Sequence, residues 1–222
     1  MSRMMMISAA VAAVGVGAWF LTSPGGQTPV ADPFGAANAQ EAEDLDTSSI
    51  VEMSLGNPDA PVTVIEYASY TCPHCATFHQ GPFKQLKADY IDSGKINFVY
   101  REVFFDRYGL WGSMIARCAG TPQSFFGISG ILYEKQSEWA RAGDPAAIVD
   151  ELRKIGLLAG LDAETMEACL QDGEKARTLV AWYQENAEAD GIDSTPSFVI
   201  DGRKYSNMSY GEMAELIDAA AE

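Results

Sequence analysis

Two cysteines three positions apart frame a proline and a histidine in the run Cys72-Pro73-His74-Cys75. Thiols at that spacing lie about one helical turn apart, so they can close a small-ring disulfide or carry a thiolate that attacks another one. The run follows Val62-Thr63-Val64-Ile65-Glu66-Tyr67, a β-branched stretch that reads as a buried strand, and opens a helical pattern reaching about Ile91. Cys72 is therefore predicted at a helix N-terminus. There, N–H groups without intrahelical partners and the positive end of the helix dipole favour thiolate over thiol. Pro73 suits the first turn because its missing N–H is not needed, and His74 can add positive charge or a hydrogen bond to the same sulfur. Each unit of lowered pKa corresponds to about 1.4 kcal/mol in favour of the ion. A helix terminus supplies roughly 0.3–2 kcal/mol, which leaves the rest to His74 and nearby N–H donors. A thiolate held in this way makes the reduced pair favourable, its disulfide a good oxidant and Cys72 a good leaving group.

Other uses of the pair fit less well. A structural disulfide rarely spans two residues at a helix start. Zinc wants four ligands, and the remaining cysteines, Cys118 and Cys169, are isolated. Copper(I) on Cys72, Cys75 and His74 stays open as a side activity. His79, seven residues after Cys72 on a similar helix face, reads as a packed or surface histidine rather than a ligand. Glu66 lies in the strand, six residues before Cys72. Strand alternation makes it an isolated acid in apolar company, an environment that favours the protonated form, so a proton-shuttling role is expected unless it reaches solvent at a strand edge. Thr195-Pro196 precedes a second β-branched run at Ser197-Phe198-Val199-Ile200. Proline entering a central strand is unusual; a cis bond would turn the Thr195 backbone toward the cysteines and let it pair with an extended substrate, whereas an ordinary turn proline would not.

Around these residues the chain reads as βαβ, then helices, then a hairpin and a closing helix. Ile50–Met53 is predicted as a short edge strand and Ile96–Val103 as a second central strand, parallel to the first. The helix after the cysteines should kink at Gly81-Pro82. Strand character vanishes over about 106–190, where helical spacing recurs between Gly and Pro breaks. It returns at Ser197, turns at Asp201-Gly202, and a helix from Tyr210 to Ala221 ends the chain. This is an α/β architecture with an inserted α-helical domain. Cys118 and Cys169 both fall on helices of the insertion; a structural disulfide between them is expected, with two buried free thiols as the alternative.

Upstream, Arg3 and an apolar stretch from about Met4 to Leu21 mark an export signal. Ala37-Asn38-Ala39 offers a cleavage motif, but so far past the apolar stretch that an uncleaved anchor is an alternative. Residues 1–39 are thus assigned to a signal peptide or N-terminal anchor plus linker, 40–49 to a flexible linker, and 50–222 to the folded domain. The net charge of −16 argues against nucleic acid and anionic membrane surfaces as partners. Four cysteines in an exported chain fit an oxidising compartment.

Cys72-Pro73-His74-Cys75 resembles the active-site signature of the DsbA family of bacterial thiol:disulfide oxidoreductases. Gly56-Asn57-Pro58-Asp59-Ala60-Pro61, Glu66, the helical insertion and Thr195-Pro196-Ser197-Phe198 extend the likeness over about residues 50–222. The resemblance implies a thioredoxin-like fold, no cofactor beyond the redox-active disulfide, attack at Cys72, resolution by Cys75 and a cis Pro196. It also implies a periplasmic protein, soluble after cleavage or tethered, acting on reduced exported polypeptides and reoxidised by a membrane quinone-linked partner. Thr195 departs from the best-known oxidases, which carry an apolar residue there, and is closer to the isomerase and reductase branch. Those isomerases use a dimerisation module that the short segment before Ile50 does not provide, so a monomer is expected. The Cys118/Cys169 pair resembles a two-disulfide subgroup. A dithiol oxidase is the leading expectation; an isomerase or reductase, serving cytochrome c or copper-site maturation, and a copper-binding chaperone are the alternatives.

Overall fold

The computed structural model describes residues 45–222; the expected signal or anchor segment at 1–39 lies outside them. Among the described residues, β1 (Met53–Gly56), β2 (Val62–Ala68), β3 (Ile96–Glu102), β4 (Ser197–Ile200) and β5 (Arg203–Ser206) form one mixed sheet in the order β1-β3-β2-β4-β5. Strands β2 (Val62–Ala68) and β3 (Ile96–Glu102) run parallel, with Val62 opposite Ile96 and Ala68 opposite Glu102. Parallel neighbours need a crossover. It is supplied by α1 (Pro73–Gln80), α2 (Pro82–Leu86) and one π-turn at Lys87–Ile91. The break between α1 and α2 falls at Gly81, immediately before Pro82, whose ring forbids an uninterrupted helix.

The edge strand β1 (Met53–Gly56) pairs antiparallel with β3. It starts three residues later than the predicted Ile50–Met53. Ile50 is instead buried in the core, at the end of a 3-10 turn over Thr47–Ser49 that Asp46 caps. The Thr47 hydroxyl donates to Glu185 at 2.8 Å, so the last residues of the expected flexible linker are packed onto the domain. On the far side, β4 (Ser197–Ile200) and β5 (Arg203–Ser206) form a hairpin whose turn residues, Asp201 (φ 47°) and Gly202 (φ 74°), both have positive φ. Two such residues in a row make the turn that matches the strand twist, and glycine enters it without steric cost.

Side-chain alternation along β2 divides the core. Val62, Val64 and Ala68 enter the main cluster with Phe78, Leu86, Phe98 and Phe198, while Ile65 and Tyr67 face a smaller one with Val103 and Val199. Each such fully buried side chain stabilises by roughly 1.5–3 kcal/mol. Glu66 shares the first face by the same alternation and is fully buried.

Between β3 and β4 the insertion comprises α3 (Arg107–Cys118), α4 (Pro122–Glu134), α5 (Gln136–Trp139), α6 (Pro145–Leu158), α7 (Ala163–Gln171) and α8 (Gly173–Ala189). Asp106, Thr121, Asp144, Asp162 and Asp172 each accept from backbone N–H groups at the start of a helix, so part of the acidity serves as N-caps. The insertion is held to the sheet by a buried ion pair. Arg117 donates to both Glu102 oxygens at 2.6 and 2.7 Å and lies against the Phe125 and Trp182 rings. Cys118 and Cys169 are joined as a disulfide between α3 and α7. Helix α9 (Tyr210–Ala220) closes the domain behind a capping box formed by Ser209 and Glu212. Among the described residues, no helix is long and apolar enough to cross a membrane.

Candidate active site

Strand β2 ends at Ala68, and Ser69-Tyr70-Thr71 carries the chain to α1, with Cys72 at the N-cap and Pro73 in the first turn. The loop is fastened at three points. The Cys72 N–H donates to the Ser69 carbonyl at 3.1 Å. The Thr71 hydroxyl donates to Asp106 at 2.7 Å, the residue that caps α3. The Gln136 amide donates to the carbonyls of Tyr70 and Cys72, both at 2.8 Å. Gln136 belongs to α5, so the helical insertion grips the backbone of the cysteine itself.

The two thiols sit in opposite environments. Cys72 is half-buried and Cys75 fully buried, both reduced. The Cys72 pKa is lowered to about 5, chiefly because the Cys75 thiol donates a hydrogen bond to it, with help from Thr195 and from the backbone N–H groups of Cys75 and His74. Burial opposes these donors and does not overcome them. Cys75 is pushed far up, first by burial, then by its hydrogen bond to Cys72 and by the charge of Glu66. His74 is exposed, and its backbone N–H is among the donors that lower the Cys72 pKa, after the Cys75 thiol as the largest.

Across from Cys72 lies the second half of the site. The Thr195–Pro196 peptide is cis, and the Cys72 sulfur donates to the Thr195 carbonyl at 3.4 Å. The Thr195 hydroxyl is buried without a partner. Once Cys72 ionises, that hydroxyl is a ready donor to the sulfur, consistent with its lowering effect.

Glu66 is not isolated. Both its oxygens are in hydrogen-bond contact with Nε2 of buried His79, at 2.9 and 3.1 Å, and His79 stacks on Tyr133 with 4.2 Å between ring centroids. The expected unpaired acid is thus one half of a buried pair. His79 lies four residues after Cys75, on the same helix face, which is the sequence signal for this contact. Gln136 had no such signal, since its partners are 64 and 66 residues away.

Gln136→Met leaves the buried Tyr70 carbonyl unpaired, while the Cys72 carbonyl keeps the Ala76 N–H at 3.2 Å. Thermal and denaturant unfolding should show a loss of about 2 kcal/mol. A variant as stable as the wild type would mean that water replaces the amide.

A fold and site of this kind, with a cis-proline facing a Cys-x-x-Cys pair at the start of a helix, define a thioredoxin-type domain carrying a helical insertion. The family model described as thioredoxin matches residues 48–219, and the chain belongs to that family, in its DsbA-like branch. A Rickettsia bellii protein provisionally named a protein-disulfide oxidoreductase is 36% identical over 171 residues, covering 77% of this chain and 65% of the relative. The chain spans slightly under two thirds of the length of the rickettsial relatives it matches. Disulfide bond formation protein D of Bacillus subtilis is 29% identical over 178 residues, 74% of each protein. The crystal structure of Wolbachia pipientis alpha-DsbA1 superposes with a TM-score of 0.70 at 26% identity, covering 77% of this chain and 90% of that one.

Proposed function

We propose that this chain is a thiol:disulfide oxidoreductase working as a dithiol oxidase, which donates the Cys72–Cys75 disulfide to reduced polypeptides exported to an oxidising compartment. The carrying observation is the asymmetry of the pair: a half-buried Cys72 with its pKa lowered to about 5 beside a buried Cys75 pushed far up. A client thiolate attacks the accessible Cys72 sulfur, the Cys72–Cys75 bond breaks, and its electron pair leaves on Cys75, which takes up a proton. A second client thiolate then attacks the client sulfur of the mixed disulfide, and Cys72 departs as a stable thiolate. The client disulfide has formed and both electrons remain on the enzyme. The carbonyl of Thr195, already within reach of Cys72, suits backbone pairing with an extended client segment. Reoxidation falls to a membrane redox partner, and the apolar segment after Arg3 provides for export to the periplasm. The names of the rickettsial and Bacillus relatives agree with this chemistry.

Equilibration with glutathione tests the reading: the Cys72–Cys75 couple should be clearly more oxidising than glutathione. A couple no more oxidising than glutathione would remove the oxidase assignment. A polar Thr195 before the cis-proline, its hydroxyl buried without a partner, supports a second reading as an isomerase or reductase. Efficient refolding of a scrambled substrate, with rapid insulin reduction, would select it.

A further inference from the structure

A groove of about 710 Å³ runs between α1–α2 and α4, with Phe83, Phe126, Ile131 and Tyr133 on its walls. It lies over β3, where Phe98 meets Phe83 and Phe126 at ring-centroid distances of 5.2 and 6.2 Å. Phe78, on the other flank of α1, meets Phe198 of β4, the strand that follows Thr195–Pro196. Strand β2 separates β3 from β4, so the groove and the cis-proline lie on opposite flanks of the cysteine helix.

The groove has a charge polarity. At one end the Gln80 amide donates to the Tyr133 carbonyl at 2.9 Å and ties the two walls together beside Glu134. Two residues further on, Gln136 holds the Cys72 carbonyl, so this is the end nearer the cysteines. Lys84 and Lys87 lie at the other end, beyond the break between α1 and α2, and Lys87 is matched by Asp92. Lys84 and Glu134 are exposed, and neither makes an ion pair among the described residues. An apolar trough with one unmatched cation and one unmatched anion at opposite ends complements an amphipathic polypeptide segment of reversed polarity. Gly127 and Gly130 open the α4 wall: a Cβ at either would meet nothing within 4 Å, so packing inside the domain does not require glycine there. Both weaken the helix that carries them, and both let an outside backbone approach closely.

We infer that this groove is an exosite for the client, holding an amphipathic helical segment of the reduced polypeptide with its basic end at Glu134 and its acidic end at Lys84. This deepens the dithiol-oxidase reading and rests on it. From Phe126 to Glu134 α4 rises about 12 Å, which matches about two turns of a docked helix. Apolar side chains at i, i+3, i+4 and i+7 of that helix fill the space between Phe83 and Phe126. The basic end faces the reacting cysteine. Because Thr195 and Cys72 stay uncovered, the client remains held while both its thiols exchange at Cys72.

The test uses the oxidised full-length protein and a synthetic dithiol peptide with a helical arm. The arm carries leucines at i, i+3, i+4 and i+7, lysine toward the cysteines and glutamate at the far end; a control peptide scrambles it. Scrambling should raise KM about ten-fold at unchanged kcat, a modest share of what burying two leucines contributes. Gly130→Phe, which fills the trough, should raise KM for the intact arm by a similar factor and leave glutathione exchange at the wild-type rate. Lys84→Glu should raise it about three-fold, the size of an exposed ion pair, and a peptide with lysine in place of its far glutamate should restore it. A cysteine-free version of the peptide, followed by fluorescence anisotropy, should bind the wild type and weaken in the same order. Equal KM for intact and scrambled arms, or an intact-arm KM that Gly130→Phe and Lys84→Glu leave unchanged, would overturn the exosite. So would a wild-type dimer that Gly130→Phe dissolves in sedimentation, since a second copy would then fill the groove. Should Gly130→Phe not fold, Lys84→Glu and its restoring peptide decide alone. Anisotropy binding without oxidation of the dithiol peptide would instead remove the oxidase reading and leave the groove as a peptide site.

Discussion

Substituting Cys72 with Ser is expected to abolish dithiol–disulfide exchange and to remove a thiolate absorbance near 240 nm that titrates with a midpoint of about pH 5 in the reduced wild type. Cys75→Ala should retain a titrating thiolate but move its midpoint upward, because the Cys75 thiol is the largest single contribution holding Cys72 ionised. The same variant should accumulate mixed disulfides with glutathione or client thiols, since no neighbouring thiol remains to release them. Stability follows with a definite sign. The folded-state value of about 5 lies below the ordinary 9.0, so ionisation stabilises the folded reduced form fully above pH 9, and that contribution drains away as the pH falls toward 5. Reduced protein should therefore gain melting temperature relative to oxidised protein across that window as the pH rises. A midpoint near that of an ordinary thiol, or a gain of opposite sign, would dismantle the electron-accepting chemistry.

Removal of the Cys118–Cys169 disulfide, through Cys118→Ser with Cys169→Ser, should lower stability by about 4 kcal/mol. Releasing a closure between residues 51 apart enlarges the unfolded ensemble by that much in the chain-entropy treatment. For a domain of this size the melting temperature drops on the order of 10 °C. Calorimetry with the Cys72–Cys75 pair held oxidised in both proteins reads the difference cleanly. A shift of a degree or two would mean that α3 and α7 are held by their other contacts, with the bond adding little.

Much of the fold was legible because short-range physics dictates it. The β-branched runs at Val62–Tyr67 and Ile96–Val103 are strands in the structure, and Pro82 breaks the first helix where its ring must. The edge strand was misplaced by three residues because Ile50 and Met53 are equally apolar, and only pairing with β3 decides that Met53 opens the ladder while Ile50 turns inward. The buried Glu102–Arg117 pair left no mark either, since a charged residue inside a strand or helix looks locally like a solvated one.

By itself the sequence determined the chemistry available: two thiols one helical turn apart at a strand-to-helix junction, a proline before the returning strand, and an acid buried by strand alternation. Those are properties of spacing and period, and they hold wherever the chain goes next. The tertiary structure alone decided who meets whom. It set the Thr195 carbonyl 3.4 Å from Cys72, gave Glu66 its His79, and brought Gln136 of the insertion onto the backbone of the active-site loop. These contacts join residues up to 123 positions apart, and their geometry depends on the packing of the sheet against the insertion. Local propensity carries no information about that packing.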